Sequence, residues 1–353
     1  MRELCINKRR MSDDSDCYVI AELGQNHQGS LKMALEMIKV AKDCGADAVK
    51  LQKRHNKSLY ARALYDQPYE NENSFGSTYG KHREALEFGL AEYKELQKCA
   101  DDCGVDLFAT AWDFKSADFL HDLRVPAFKI ASGDMKSMPL LKYIAAFKKP
   151  MIISTGGCSL DDVRRVYDAL MPINKKLCFL QCTAAYPASA EILNLNVITT
   201  YRREFPYALI GLSDHENGIA MAVAAYVLGA RVIEKHFTLN HTLKGTDHAF
   251  SLEPIGMRKL VRDLKRVKQA LGDGVKRPLA CEEKPIIKMS KKMVAARPLK
   301  KGKVLSFRDV AFKSPGDGMF PCELESVLGR KLVKHMDADE AFSPQSVSKK
   351  PVR

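Results

Sequence analysis

The sequence predicts an α/β protein: a (β/α)8 barrel over residues 17–272, followed by a small turn-rich domain over residues 290–353. Three observations carry this. At 353 residues the chain is long for one domain and short for three, and 46% hydrophobic residues suffice for a large core. Eight short apolar runs recur within about 250 residues, with helical patterns between them. The first run leads into "ELGQNHQG". An open doubly wound sheet would more often carry a glycine-rich phosphate loop there.

Residues 1–16, "MRELCINKRRMSDDSD", are charged and lack an apolar core. They read as an N-terminal extension and not as a secretory signal. The predicted strands are "CYVIAEL" (17–23), "ADAVKLQ" (46–52), "VDLFATAW" (105–112), "AFKIAS" (127–132), "MIISTG" (151–156), "LCFLQC" (177–182), "ALIGLSD" (208–214) and "RVIEKHF" (231–237). Amphipathic stretches separate them. "SLKMALEMIKVAKDCG" has Ser30 to cap its start and Gly45 to end it. "DDVRRVYDAL" and "NGIAMAVAAYVLGA" fill the same role, and "GMRKLVRDLKRVKQALG" closes the barrel. Residues 53–90 are too long for an ordinary strand–helix loop, and such inserts are usually functional or disordered. "DGVKRPLACEEKP" opens a linker over 273–289. Lys-Gly and Pro-Gly turns break up the segment beyond it.

Net charge is +13, and Lys284–Arg353 holds 16 Lys and Arg against 7 Asp and Glu. A basic tail suits nucleic acid, a membrane surface or an anionic small substrate. Few aromatics and no recognisable nucleic-acid motif argue against the first. None of the ten cysteines forms a CxxC pair, and several lie in apolar runs, as reduced cysteines of a cytoplasmic protein do. "NGIAMAVAAYVLGA", bounded by Glu216 and Arg231, is too short to span a bilayer.

In this barrel class the active site lies at the C-terminal ends of the strands. Every run ends there in polar groups. Lys50, Thr110, Lys129, Ser132, Ser154 and Ser213 are donors suited to a phosphate and a carboxylate. Lys50 and Lys129 lie within apolar runs, where a lysine usually meets an anion. His215 and His236 end adjacent strands, so their imidazoles can converge on one divalent ion. Glu22, Asp134 and Asp247 are candidates for acid–base work or for gripping hydroxyls. Gln52 and Tyr186 end or follow their runs. Of the three histidines in "EKHFTLNHTLKGTDHAFSLEP", His236 is the candidate ligand and His241 a surface residue. His248 either supports its neighbour Asp247 or has no role.

The chain resembles the sialic acid synthases, the N-acetylneuraminate synthase family. The resemblance rests on "IAELGQNHQGSLKMALEMIKVAKDCGADAVKLQK", "KIASGD", "ISTGG", "FLQCTAAYP", "IGLSDHENGIA", "EKHFTL" and "GTDHAFSLEP". The C-terminal segment resembles that family's antifreeze-like (SAF) domain. The resemblance implies condensation of phosphoenolpyruvate with an N-acetylmannosamine-type sugar, a divalent metal (Mg2+ or Mn2+), and a homodimer. In that dimer the small domain of one subunit closes the other's barrel mouth. By position, it makes His215 and His236 the metal ligands, and Lys50, Thr110, Lys129, Ser132, Ser154 and Ser213 the phosphoenolpyruvate site. Glu22, Gln52, Tyr186 and Asp247 become sugar contacts, with Glu22 and Asp134 as acid–base candidates. The chain departs from bacterial members at Ala184, where they commonly have asparagine, and at Lys313 and Ser314, where they place an arginine before the Pro-Gly turn.

The insert and "FGSTYGKHREALEF" look like the animal-type enzymes, which act on the 6-phosphorylated sugar and form N-acetylneuraminate 9-phosphate. A second phosphate needs a second anion site. The insert offers Lys53, Arg54, His55, Lys57, Arg62, Lys81, His82 and Arg83, with Lys57, Arg62 and Lys81 as first candidates. Alternatives are the same chemistry on unphosphorylated N-acetylmannosamine or on mannose 6-phosphate, or a pseudoenzyme that only binds carbohydrate.

Overall fold

All eight apolar runs form strands in the computed structural model, which describes residues 2–351. Strands β1 (Glu3–Ile6) and β2 (Arg9–Ser12) make an N-terminal hairpin. The barrel follows: β3 (Tyr18–Gly24), β4 (Ala48–Lys53), β5 (Asp106–Ala111), β6 (Phe128–Ile130), β7 (Met151–Ser154), β8 (Leu177–Cys182), β9 (Leu209–Asp214) and β10 (Val232–His236). Each pairs in parallel with the next. β10 pairs with both β9 and β3, which closes the ring. Strands covered on both faces are apolar throughout rather than alternating, and all seven residues of β3 are buried. At Gly211 an added Cβ would lie 2.3 Å from the Val232 carbonyl oxygen, so that crossing needs glycine.

The helical patterns form the outer layer. In Leu31–Asp43 the Ser30 hydroxyl accepts the Met33 N–H at 3.3 Å, and Met37, Ile38 and Ala41 turn inward. Leu160–Leu170 starts with a reciprocal cap between Ser159 and Asp162. Pro254–Leu271 buries Met257, Leu260, Val261 and Leu264. No helix among the described residues is long and apolar enough to cross a membrane.

Residues 1–16 are more than an extension. Leu4, Ile6 and Met11 are buried within the barrel's core. Each such side chain contributes about 1.5–3 kcal/mol by leaving water. Asn7 adopts φ 49° in the two-residue turn Asn7-Lys8, a geometry asparagine tolerates. Arg9 pairs with Asp47 and donates to the Cys17 carbonyl, and Tyr18 donates to Asp106 at 2.6 Å. Cys17 and Asp47 immediately precede β3 and β4 and Asp106 begins β5, so the hairpin plugs the N-terminal end of the barrel. The charged face of β1 and β2 masked a two-residue apolar alternation.

The insert is ordered. Short helices at Asn56–Leu59, Arg62–Tyr65 and Tyr79–Ala85 pack through aromatic contacts, with Tyr79 edge-on to both Tyr60 and Tyr69. His82 is buried against Tyr69 and Phe75.

The chain divides into two compact units, Met1–Gly272 and Asp273–Arg353. Within the second, β11 (Lys292–Ala295) pairs antiparallel with β12 (Val310–Lys313) over a core of Met293, Leu299, Leu305, Val327, Met336 and Phe342. Asp309 is fully buried and is held by Arg297, Lys303 and Ser306. The predicted linker is partly helical: Glu283–Met289 forms a helix, and the Gly316 N–H donates to the Ile287 carbonyl at 2.7 Å. Pro285 lies in its first turn, where no N–H is needed, so the proline obscured the helix without breaking it.

Candidate active site

A cavity of about 290 Å3 opens where the barrel strands end. Of the strand-end site residues predicted from sequence, all but Asp134 line it: Glu22, Lys50, Gln52, Thr110, Lys129, Ser132, Ser154, Tyr186, Ser213, His215, His236 and Asp247. Eight parallel strands ending on one rim bring together residues more than 200 positions apart.

Four buried charges form its floor. Lys50 Nζ lies 2.8 Å from Glu22 and 3.7 Å from Glu234, and Lys129 Nζ lies 3.5 Å from Glu234. Hydroxyls complete the set. Lys50 donates to Thr110 at 3.0 Å, Lys129 to Ser154 at 2.7 Å, and Ser213 to Glu234 at 3.0 Å. Ser132 Oγ lies 3.4 Å from Cys182 Sγ and accepts the Gly156 N–H at 2.9 Å. Two lysines and two glutamates leave the floor near neutral.

The two carboxyls part company. Burial pushes Glu234 up, but Lys129, Lys50 and the Ser213 hydroxyl outweigh it and hold the group at about 2. Burial also pushes Glu22 up, and there the single close ammonium of Lys50 does not outweigh burial plus the repulsion of Glu234, so its pKa stays raised. Of the two, Glu22 takes up a proton more readily, and Glu234 keeps its negative charge. Lys50 is raised, because Glu22 and Glu234 overcome its burial, whereas Lys129 is lowered by burial.

Gln52 donates to Glu22 at 2.9 Å. At Gly24, φ +52°, an added Cβ would sit 3.2 Å from Glu22 Oε1, 3.5 Å from Gln52 Nε2 and 3.6 Å from Asp247 Oδ2. The missing side chain lets these three polar groups gather. Asn26 holds the segment that carries Asp247, donating to the Phe237 carbonyl at 2.8 Å and to Ser251 at 2.9 Å.

His215 and His236 lie with ring centroids 5.4 Å apart. His215 Nδ1 meets the Thr183 carbonyl at 2.8 Å. A carbonyl only accepts, so that nitrogen carries the proton and Nε2 keeps its lone pair. His236 Nδ1 is buried without a hydrogen-bond partner and lies 3.6 Å from Asp247 Oδ2. Burial lowers both pKa values to about 4, so both rings are neutral at pH 7. Neutral, underused imidazoles suit a divalent ion. No group of three or more His, Cys, Asp or Glu among the described residues is spaced to hold one. The arrangement fits a loose two-histidine site that leaves positions for water and substrate. Tyr186 packs at a tilt against His215, 4.2 Å between centroids, and its side chain is exposed.

The other two histidines differ. His241 is exposed and pairs with Glu253 at 3.7 Å. His248 is buried, and its Nδ1 meets Thr238 at 2.7 Å, which anchors the loop next to Asp247. Asp134 does not line the cavity. It ends a short turn, Ser132–Asp134, and burial beside Asp113 raises its carboxyl to about 6. The strand-end pattern placed it one turn beyond the rim.

Sequence reasoning gave Glu234 no role, although it precedes Lys235 in an apolar strand. A carboxylate facing two lysines inside a barrel was the available signal. It also favoured Lys57, Arg62 and Lys81 in the insert. All three are exposed and lie off the cavity, and Arg62 pairs with Asp66. Arg54, Arg83 and Trp112 line the wall instead.

Residues 37–276 match the NeuB family and residues 293–348 match the SAF domain. The chain is 41% identical to the human N-acetylneuraminate-9-phosphate synthase, over 98% of this chain and 96% of that one. It is similar to the crystal structure of an N-acetylneuraminic acid (sialic acid) synthetase from Leptospira borgpetersenii in complex with citrate, with TM-score 0.70 and 29% identity over 81% of this chain and 95% of the other. A spore coat polysaccharide biosynthesis protein of Bacillus subtilis matches over 99% of both chains, with TM-score 0.66 and 31% identity. An eight-stranded barrel with a charged polar floor, followed by a small SAF domain, is thus joined to full-length sequence similarity: the chain belongs to the NeuB family.

Proposed function

We propose that this chain condenses phosphoenolpyruvate with N-acetylmannosamine 6-phosphate, giving N-acetylneuraminate 9-phosphate and inorganic phosphate. The observation that carries the reading is the buried floor of Lys50, Lys129, Glu22 and Glu234 ringed by hydroxyls. The name of the human relative supports the choice of substrates.

Lys50, Lys129, Thr110, Ser132, Ser154 and Ser213 hold the phosphate and carboxylate of phosphoenolpyruvate. An anion entering a floor already neutralised by two carboxylates favours protonation of the one whose pKa is raised, Glu22. C3 of phosphoenolpyruvate attacks C1 of the open-chain sugar, the carbon–carbon bond forms, and the former carbonyl oxygen takes the proton from Glu22. Water adds to the oxocarbenium carbon C2 and returns a proton to the Glu22 carboxylate. The bond from C2 to the bridging oxygen then breaks, leaving a ketone, and phosphate departs with the hydroxyl proton. Gln52, Tyr186 and Asp247 grip the sugar. Fixed charge and positioning supply most of the rate enhancement. His215 and His236 would hold Mg2+ or Mn2+, which when bound supplies Lewis acidity at the sugar aldehyde.

The same reading has the SAF domain acting in trans within a homodimer, shielding the oxocarbenium from stray water. All ten cysteines are free, which supports a cytoplasmic setting. The test is phosphate release from phosphoenolpyruvate with phosphorylated and free N-acetylmannosamine and with mannose 6-phosphate. Release should be fastest with the phosphorylated amino sugar. Release with none of them would leave the pseudoenzyme reading.

A further inference from the structure

The cavity wall carries a cationic pair that the floor chemistry does not use. Arg54 follows β4 directly and is 6% exposed. Its guanidinium lies 4.5 Å from the centroid of the Trp112 ring, donates to Gln52 and approaches Glu87 at 3.6 Å. Arg83, on the short helix Tyr79–Ala85, donates to the Tyr79 hydroxyl at 2.9 Å. Four buried donor atoms on this wall have no acceptor: Arg54 Nε, Arg83 Nε, Arg83 Nη1 and Trp112 Nε1. Native folds leave few such groups unpaired.

The local carboxylates are engaged or misplaced. Glu87 already takes Lys53 at 3.2 Å and the Arg54 backbone N–H at 3.1 Å. Asp113 takes the His55 N–H and Ser116. Asp134 has one buried oxygen without a partner and stands off the cavity. Asp134 is within electrostatic reach of Arg54, yet the guanidiniums of Arg54 and Arg83 keep N–H donors without acceptors. After burial itself, repulsion from Arg83 is the largest influence lowering the Arg54 pKa. A wall of unpaired donors on two guanidiniums and an indole suits a ligand that only accepts hydrogen bonds and carries negative charge. A phosphate monoester does both, and arginine forks match its oxygens.

We propose that Arg54, Arg83 and Trp112 form a second anion subsite that holds the phosphate of the sugar substrate. This rests on the condensation reading above and assigns the residues that select the phosphorylated sugar. The floor lysines keep phosphoenolpyruvate and the wall arginines take the sugar phosphate, so the two anions are held apart. Trp112 stacks beneath Arg54 and fixes the plane of its fork.

The test compares kcat/KM for phosphorylated and free N-acetylmannosamine in wild type, Arg83→Gln, Arg83→Lys and Arg54→Gln, with melting temperatures as a check on folding. Losing one charged contact should lower the phosphorylated-to-free ratio by about 10- to 100-fold, mainly through KM for the phosphorylated sugar. Arg83→Lys should recover part of the ratio. An unchanged ratio in both Gln variants, equal losses on both sugars, or a raised KM for phosphoenolpyruvate instead would overturn the assignment. Calorimetric binding of the phosphorylated sugar to wild type and Arg83→Gln reads the subsite without turnover, and equal affinities there would also overturn it. Absence of turnover with either sugar, alongside an affinity difference, would refute the condensation reading and leave the subsite standing.

Discussion

Glu234→Gln removes the one carboxylate that faces both floor lysines, at 3.7 Å from Lys50 and 3.5 Å from Lys129. At an effective dielectric constant of about 20, each of these contacts is worth roughly 4–5 kcal/mol before desolvation. Desolvation of Glu234, 4% exposed, cancels part of that. Removing one partner of a buried pair typically costs about 3–5 kcal/mol, because the other charge stays buried. Lys129, already lowered by burial, can shed its proton and relieve some strain. The lower end, about 3 kcal/mol, is therefore expected. For a domain of this size that is a fall of roughly 6–12 °C in melting temperature. The sign with pH follows from the depressed carboxyl. Its folded value, about 2, lies below its unfolded one. Its stabilisation is complete above the unfolded value and lost as pH falls toward 2. The gap between wild type and variant should then be full at pH 7 and shrink below about pH 4. Phosphoenolpyruvate should raise the variant's melting temperature more than the wild type's, because it restores negative charge between the lysines. The assay is thermal unfolding by circular dichroism at pH 7 and pH 3, with and without phosphoenolpyruvate. A fall under about 2 °C at pH 7, or a gap that widens in acid, would refute the charge assignment of the floor.

Further outcomes follow from other parts of the molecule. Chelation should stop turnover and Mn2+ or Mg2+ should restore it, while His236→Ala should need far more metal for half-maximal rate; full activity of that variant under limiting metal would remove the two-histidine site. A chain ending at Gly272 should fold on its own core, seen as a cooperative melt, but lose most activity; normal turnover would remove the small domain from the reaction. Leu4→Ala should cost about 2–5 kcal/mol, because it empties a buried position in the hairpin plug; a loss below 0.5 kcal/mol by urea unfolding, well under that large-to-small range, would mean the hairpin is dispensable.

The barrel was legible because strands covered on both faces must be apolar along their length, as in "LCFLQC" and "ALIGLSD". The lysines were legible for the converse reason: Lys50 and Lys129 stand out where charge is costly. The hairpin was hidden because Leu4, Ile6 and Met11 alternate with more exposed residues over only a few positions. Glu234 was passed over because its meaning depends on which neighbours the closed sheet brings to it. The insert could be recognised as basic, but sequence carries no measure of which arginine turns inward. Arg54 and Arg83 became distinct from Lys57, Arg62 and Lys81 only once the aromatic packing of Tyr60, Tyr69 and Tyr79 fixed the fold of the segment. Asp134 lies off the cavity because a single short turn carries it past the rim.

The central claim is a condensation that cleaves the carbon–oxygen bond of phosphoenolpyruvate at a sugar phosphate. Phosphoenolpyruvate labelled with 18O in the bridging position, incubated with N-acetylmannosamine 6-phosphate, a divalent cation and the full-length protein, tests it by mass spectrometry of both products. The label should leave with inorganic phosphate, in step with formation of unlabelled N-acetylneuraminate 9-phosphate. Label retained in the sugar acid, or labelled phosphate released with no nine-carbon product, would contradict it.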